Sequence, residues 1–178
     1  MSSIRTINPT TNQVEKEYLV MSEQQIETIL SNADKAFRSW KKTPFSQRAE
    51  LLNNIAKILR ERKSELAKLC SIEMGKLHKE AVGEVELCAD IFEYYAKNGE
   101  EFLADAPLET PHGKAFLSYQ PIGVLLSVQP WNFPFYQITR SAAPNIMAGN
   151  TVVLKHASNV PQAAEIMEHI FAEAGAPK

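Results

Sequence analysis

A long stretch in the second half of this 178-residue chain contains no acidic residue. Residues 111–164 carry three cations, Lys114, Arg140 and Lys155, and no Asp or Glu. Cysteine is scarce as well: Cys70 and Cys88 are the only two, too few for a disulfide framework, which points to a reducing compartment. No apolar run approaches the ~18 residues needed to span a membrane, and the N-terminus lacks the apolar stretch of a signal peptide. These absences predict a soluble, cytoplasmic protein without a membrane partner. The net charge of -2 lacks the basic excess of a nucleic-acid binder. The four histidines, His78, His112, His156 and His169, have no metal-ligand spacing and no HExxH or CxxC company, so no metal site is expected. GxSxG, the P-loop and the dinucleotide fingerprint GxGxxG are missing too.

What remains is ordinary globular composition, 44% hydrophobic and 22% charged, divided unevenly. Residues 1–100 carry 15 Lys/Arg and 15 Asp/Glu, whereas residues 101–178 carry 4 and 6. The shift predicts solvated helices first and a buried sheet core afterwards. Ser22-Glu-Gln-Gln25 has the form of a capping box, followed by a helical stripe of Ile26, Ile29, Leu30, Ala33, Phe37 and Trp40. Thr43-Pro44 predicts the start of a second helix, whose stripe runs Leu52, Ile55, Ala56, Leu59, Leu66, Leu69. A third helix is expected over 79–98, with Val82, Val85, Cys88, Ala89 and Phe92 on one side.

The period then changes. Residues 115–120 read as a strand, and 123–128 and 151–155 as short buried strands, nearly continuous in apolar residues. Helices are expected over 134–147, with Pro144 kinking or shortening the first, and over 161–174. Strand, helix, strand, helix is the pattern of a parallel sheet. Ligands of such sheets bind at the carboxyl ends of the strands, here residues 128–132 and 155–158.

Asn132 lies in that first segment, within Pro130-Trp-Asn-Phe-Pro134, where the two prolines stiffen the connection. Asn132 could cap the following helix while Trp131 fills core. Equally, a side-chain amide held at a strand end could stabilise a developing oxyanion. Lys155 is either a snorkelling lysine or, without a nearby acid in sequence, a contact for ribose or phosphate oxygens. Arg140, eight residues beyond Asn132 in an apolar setting, either snorkels or meets an anionic end of a substrate. Cys70 and Cys88 lie on helices before the sheet and read as structural thiols rather than nucleophiles.

Pro130-Trp-Asn-Phe-Pro134 followed by Ala148-Gly-Asn-Thr-Val-Val-Leu-Lys155 resembles the signature pair of the aldehyde dehydrogenase superfamily. Asn8-Pro-Thr-Thr11, Phe45-Ser-Gln-Arg-Ala49 and Glu73-Met-Gly-Lys76 with Glu80-Ala81 and Glu84-Val85 resemble upstream pieces of the same family, in order. The resemblance implies an oxidoreductase that converts an aldehyde to the acid with NAD or NADP through a cysteine thiohemiacetal. It implies an α/β fold: an N-terminal helical layer (1–110) of the cofactor domain, a strand of an oligomerisation element (111–122), and the first βαβα part of a Rossmann-like parallel sheet with helices on both faces (123–178). Asn132 would donate in the oxyanion hole. Val128, Gln129, Pro130 and Trp131 would line the cofactor site, and Lys155 and position 158 would bind the adenosine ribose.

Many family members have an acid at position 158 that disfavours a 2′-phosphate. Here Ser158 removes that repulsion, so NADP is expected to be tolerated. Ile138-Thr-Arg140 resembles the branch acting on succinate semialdehyde, with Arg140 holding the distal carboxylate; other aliphatic aldehydes remain open. A non-catalytic module of the same fold is the alternative of a different class. The family's nucleophilic cysteine and general-base glutamate have no counterpart here. The chain is therefore expected to be a fragment without the catalytic domain, inactive alone, and part of a homodimer or homotetramer when complete.

Overall fold

Ser22 opens the first helix as its spacing predicts. The structure, a computed structural model that describes residues 3–177, shows the Gln25 N–H donating to Ser22 Oγ and the Ser22 N–H to Gln25 Oε1 at the head of α1 (Glu23–Trp40). Both orphan donors are thereby satisfied. The apolar stripe of α1 is only partly covered: Trp40 is buried and donates to Ile146 O at 2.9 Å, while Ile26, Ile29 and Leu30 stay exposed.

The second stripe is two helices, not one. α2 (Phe45–Glu61) and α3 (Lys63–Met74) break at Arg62. Arg60-Glu-Arg-Lys63 puts four charged residues in one full turn, leaving no face to bury; the break lets Leu66, Ala67 and Cys70 return to the core. α2 also starts one residue later than expected, with Pro44 rather than Thr43 at the N-cap and no side-chain cap. α4 (His78–Phe102) is longer than predicted and sits at the centre, packed by α2, α3 and a fifth helix. Ala81, Val85, Cys88, Ala89 and Phe92 are all fully buried on it.

The hairpin of β1 (Ser3–Ile7) with β2 (Val14–Leu19) had no clear signal in the sequence, and of the hairpin of β3 (Ala106–Leu108) with β4 (Ala115–Leu117) only the second strand did. Arg5, Glu15, Lys16 and Glu17 obscure the alternation of the first pair, and β3 has only three residues. The expected strand over 115–120 shortens to β4. The predicted parallel pair is present, β5 (Val124–Val128) beside β6 (Thr151–Lys155), with Val124 opposite Thr151 and Val128 opposite Lys155.

Helix α5 (Pro134–Ala148) connects the two strands, and α6 (Pro161–Glu173) follows β6. α5 covers one face of the sheet, where the Ser127 and Ser141 hydroxyls meet at 2.9 Å. α1 touches the other, where Thr151 Oγ1 donates to Ala33 O at 3.1 Å. The architecture is thus a helical layer joined to a small Rossmann-like parallel sheet with helices on both faces. The strands are less buried than their apolar run predicts, because α1 reaches only the start of the second face and leaves Leu126 and Val128 exposed. Pro144 does not shorten α5, which runs on to Ala148 and ends at Gly149 with φ +96°. That glycine is required twice over: by its left-handed backbone, and because a Cβ there would lie 2.9 Å from the Arg48 guanidinium. Arg48 is buried and donates to Met147 O and Lys41 O, carbonyls at the ends of α5 and α1.

A buried histidine ties β6 to the start of α5. His156 Nε2 lies 2.9 Å from Pro134 O, and its Nδ1 accepts from the Ala157 N–H at 2.9 Å. This assigns the neutral Nε2–H tautomer, since Nδ1 must keep its lone pair. Burial, followed by the nearby Lys155 charge, favours that neutral form and holds the imidazole below its ordinary value, against the pull of the Pro134 hydrogen bond.

Two predictions follow from this packing. Gly99 sits where α4 meets α5, and a Cβ there would overlap Met147 Cγ. Alanine normally gains about 1 kcal/mol over glycine inside a helix, but overpacking costs about 1–3 kcal/mol. Gly99→Ala is therefore expected to lower the melting temperature by a few degrees, and a higher one would show that the two helices can part freely. For His156 the unfolded chain takes up a proton near pH 6.5 while the folded chain resists, so stability is full above that pH and falls as the pH drops below it. Denaturant midpoints of His156→Gln should fall less steeply than those of the unmodified chain between about pH 7 and 5. Equal slopes would remove the histidine from this role.

Candidate functional site

Because β5 and β6 are parallel, their carboxyl ends emerge side by side. Val128 is opposite Lys155, and the ladder extends one step further through the Gln129 N–H donating to Lys155 O at 3.1 Å. The chain then leaves β5 through Pro130–Phe133 and leaves β6 through His156–Val160. The structure thus brings together the two segments that the sequence singles out. Val128, Pro130, Trp131, Asn132, Lys155 and Ser158 are all exposed there. Gln129 is different: it is half-buried, and its amide donates to Ser127 Oγ at 2.7 Å, so its polar head faces the fold.

Asn132 does not cap α5. The N-cap position belongs to Phe133, and α5 has no side-chain cap from its own turn. The Asn132 Oδ1 accepts only a long hydrogen bond from Gln137 Nε2 at 3.4 Å. Its amide nitrogen donates to no protein atom among the described residues. Nor does Trp131 fill core, being 50% exposed. Of the two readings open in the sequence, capped turn and packed aromatic are therefore corrected by the geometry. The reason is that capping is supplied from another element.

That element is α4. Glu84, fully buried, accepts from the N–H groups of Phe135 at 2.8 Å and Tyr136 at 3.0 Å through one oxygen. These are first-turn donors of α5 that would otherwise be unpaired. Its second oxygen forms an ion pair with Lys76, whose side chain is 8% exposed. Lys76 Nζ in turn lies 3.4 Å from Asn132 O and 3.5 Å above the Phe133 ring, close enough for a cation–π contact. Glu73 repeats the device at α6, accepting from Gln162 N and Ala163 N at 2.8 and 2.9 Å and from Thr6 Oγ1 at 3.2 Å. Burial pushes this carboxyl up, and the three hydrogen bonds oppose the rise.

In the sequence Lys76, Glu73 and Glu84 belong to a family pattern without an evident role, and His156 shows only that it lacks metal-ligand spacing. A signal was present. Glu84 falls three residues after Ala81 and four before Cys88, on the apolar stripe, where a carboxylate must have buried donors. Arg140 lies two turns into α5, exposed, over the Tyr136 ring at 5.8 Å. No carboxylate pairs with it or with Lys155 among the described residues. Cys70 and Cys88 are buried within the helical layer, and burial pushes both thiols up, Cys88 to about 12. Neither is a thiolate near neutral pH, which agrees with their reading as structural. No helix of the described residues is long and apolar enough to cross a membrane.

Comparison with known proteins gives one consistent result. The chain is 42% identical over 173 residues to a succinate-semialdehyde dehydrogenase (NADP+) of Deinococcus radiodurans, a match that covers 97% of this chain and 36% of that protein. It is 45% identical over 176 residues to a probable succinate-semialdehyde dehydrogenase (NADP+) of Synechocystis, covering 99% and 39%. The crystal structure of succinic semialdehyde dehydrogenase from Streptococcus pyogenes in complex with NADP+ superposes with a TM-score of 0.94 at 44% identity, covering 98% of this chain and 39% of that one. The chain thus spans less than two fifths of the length of these relatives. Residues 1–178 match the aldehyde dehydrogenase family, and the chain belongs to that family.

Proposed function

We propose that this chain supplies cofactor and substrate contacts of an NAD(P)-dependent aldehyde dehydrogenase acting on succinate semialdehyde. The observation that carries this reading is that two donors without a protein partner among the described residues, the Asn132 amide and the Lys155 ammonium, stand exposed where the chain leaves two adjacent parallel strands. In the reaction a cysteine thiolate adds to the aldehyde carbon, and the carbonyl oxygen becomes an oxyanion in a thiohemiacetal. Loss of hydride and attack by water then release the acid. The Asn132 amide donates to that oxygen as its charge develops, which is the moment at which a fixed donor lowers the barrier. Since Cys70 and Cys88 are buried thiols, the nucleophile of this mechanism is a cysteine outside these 178 residues. NAD(P), when bound, supplies the hydride acceptor.

The donor set suits a phosphorylated ribose. Lys155 and the Ser158 hydroxyl stand at the end of β6 with no acid in the surrounding sequence, so a 2′-phosphate meets a cation and no repulsion. Val128, Pro130 and Trp131 offer exposed apolar surface alongside, and Gln129 contributes through its backbone. The relatives described as using NADP+ support the same preference. Arg140, which no carboxylate pairs with among the described residues, provides a planar fork for the distal carboxylate of the substrate. The segment 111–122, whose strand β4 exposes Phe116 and Leu117, is assigned to oligomerisation, with residues 1–110 and 123–178 forming the cofactor domain of a cytoplasmic homodimer or homotetramer.

Titration calorimetry tests the cofactor assignment. Ser158→Glu is expected to weaken NADP binding by about tenfold or more through like-charge repulsion and to leave NAD binding little changed. Equal effects on both dinucleotides would remove position 158 from ribose recognition. For the substrate, Arg140→Leu in an active dehydrogenase carrying this sequence should raise KM for succinate semialdehyde by about 10–100-fold, the cost of one charge-assisted contact. Hexanal should be used as well or better by that variant. An unchanged KM for the semialdehyde would leave the distal carboxylate without its proposed partner.

A further inference from the structure

The Asn132 turn carries a positioning problem that its own sequence does not solve. Asn132 is exposed, lies outside the regular part of α5, and is held through its side chain by one 3.4 Å hydrogen bond. A donor that must meet a developing charge loses its effect when displaced by about 1 Å. The backbone at this point, however, is held from a distant element. Lys76 follows α3 and Glu84 lies on α4, the helix on which α2, α3 and α5 pack. Glu84 grips the first turn of α5 through Phe135 N and Tyr136 N, while Lys76, neutralising that buried carboxylate, reaches past it to Asn132 O and the Phe133 ring. One cation therefore touches the carboxylate, the carbonyl of Asn132 and the next side chain at once.

We propose that Lys76, clamped by Glu84, is the positioning residue that fixes the Asn132 turn relative to the rigid helical layer and so aims the Asn132 amide at the substrate oxygen. The inference rests on Asn132 being the oxyanion donor. A cation suits this place for two reasons. It matches the carboxylate that caps α5, so the pair can be buried. It also favours both a carbonyl oxygen and the face of an aromatic ring. The arrangement joins the helix cap and the amide donor into a single unit, so loss of either member of the pair should loosen both.

The test uses an active dehydrogenase carrying this sequence. Lys76→Met is expected to lower kcat about tenfold or more, while the dissociation constant for NADP stays within about threefold. Glu84→Gln should cause a similar loss, and the double variant should be about as impaired as the worse single one, because the two act as one device. An unchanged kcat in Lys76→Met, a loss matched by NADP affinity, or losses that multiply in the double variant would each overturn the assignment. If Lys76→Met does not fold, Phe133→Leu leaves the ion pair intact and removes only the ring beneath the cation. A fall in kcat of about threefold is then expected, and no fall overturns the assignment. Asn132→Ala separates the underlying reading from this one. A loss of about a hundredfold or more alongside a normal Lys76→Met defeats only the positioning role, whereas normal turnover in Asn132→Ala defeats both.

Discussion

Two buried carboxylates determine how the helical layer and the sheet meet. α5 and α6 both begin with proline after a hydrophobic residue, Phe133 and Val160, and neither has a side-chain cap of its own. Each therefore needs acceptors for its first-turn N–H groups, and each receives one glutamate from the helical layer: Glu84 for α5 and Glu73 for α6. The helix ends carry partial positive charge, so the carboxylates gain from the dipole as well as from the hydrogen bonds. The coupling is obligatory in both directions. A glutamate buried without these donors would be strongly disfavoured, and the helix ends without the glutamates would leave unpaired N–H groups in the interior. The two glutamates differ in charge balance: Glu84 has Lys76, while Glu73 rests on three hydrogen bonds, including Thr6 from the N-terminal hairpin.

The carboxyl ends of α5 and α1 meet the opposite charge. Arg48 donates to the carbonyls of Met147 and Lys41, and Gly149 leaves the space its guanidinium occupies. Asn150 continues the same region, its Oδ1 accepting from Ile122 N and Gly123 N and so setting where β5 begins. The order of residues Gly149-Asn150 thus serves two contacts at once, one by lacking a side chain and one by having an amide. Register between the strands then follows, with Val124 opposite Thr151.

Much of this was legible beforehand wherever the information is local. The capping box at Ser22, the parallel pair of strands, the proline-started helices and the end of α5 at Gly149 all depend on neighbours in sequence. Some failures occur where a distant element decides, others where a local pattern is ambiguous. Asn132 has the residue type of a cap, and only the position of Glu84 on α4 shows that the cap is already supplied. Arg62 breaks a helix whose apolar stripe looks continuous, because four charged residues interrupt the stripe for a full turn. Leu126 and Val128 belong to strands apolar on both faces, yet one face is open, since α1 covers only its start. The hairpin strands β1 and β2 escaped because their alternation is polar on both sides.

The tertiary caps also bear on why no GxGxxG turn is present. In that motif a helix N-terminus binds the dinucleotide's phosphates through free N–H groups and the positive end of the dipole. Here the N-termini of both helices that follow the strands are already occupied by protein carboxylates. An added phosphate at either would find its donors taken and a buried negative charge in place. Positive charge here resides on side chains instead, and neither Lys155 nor Arg140 has a carboxylate partner among the described residues. The same arrangement frees Asn132 and Ser158, two residues of the type that would otherwise cap these helices, to face outward. The outward-facing Asn132 and Ser158 thus follow from the capping of α5 and α6 by Glu84 and Glu73 of the helical layer.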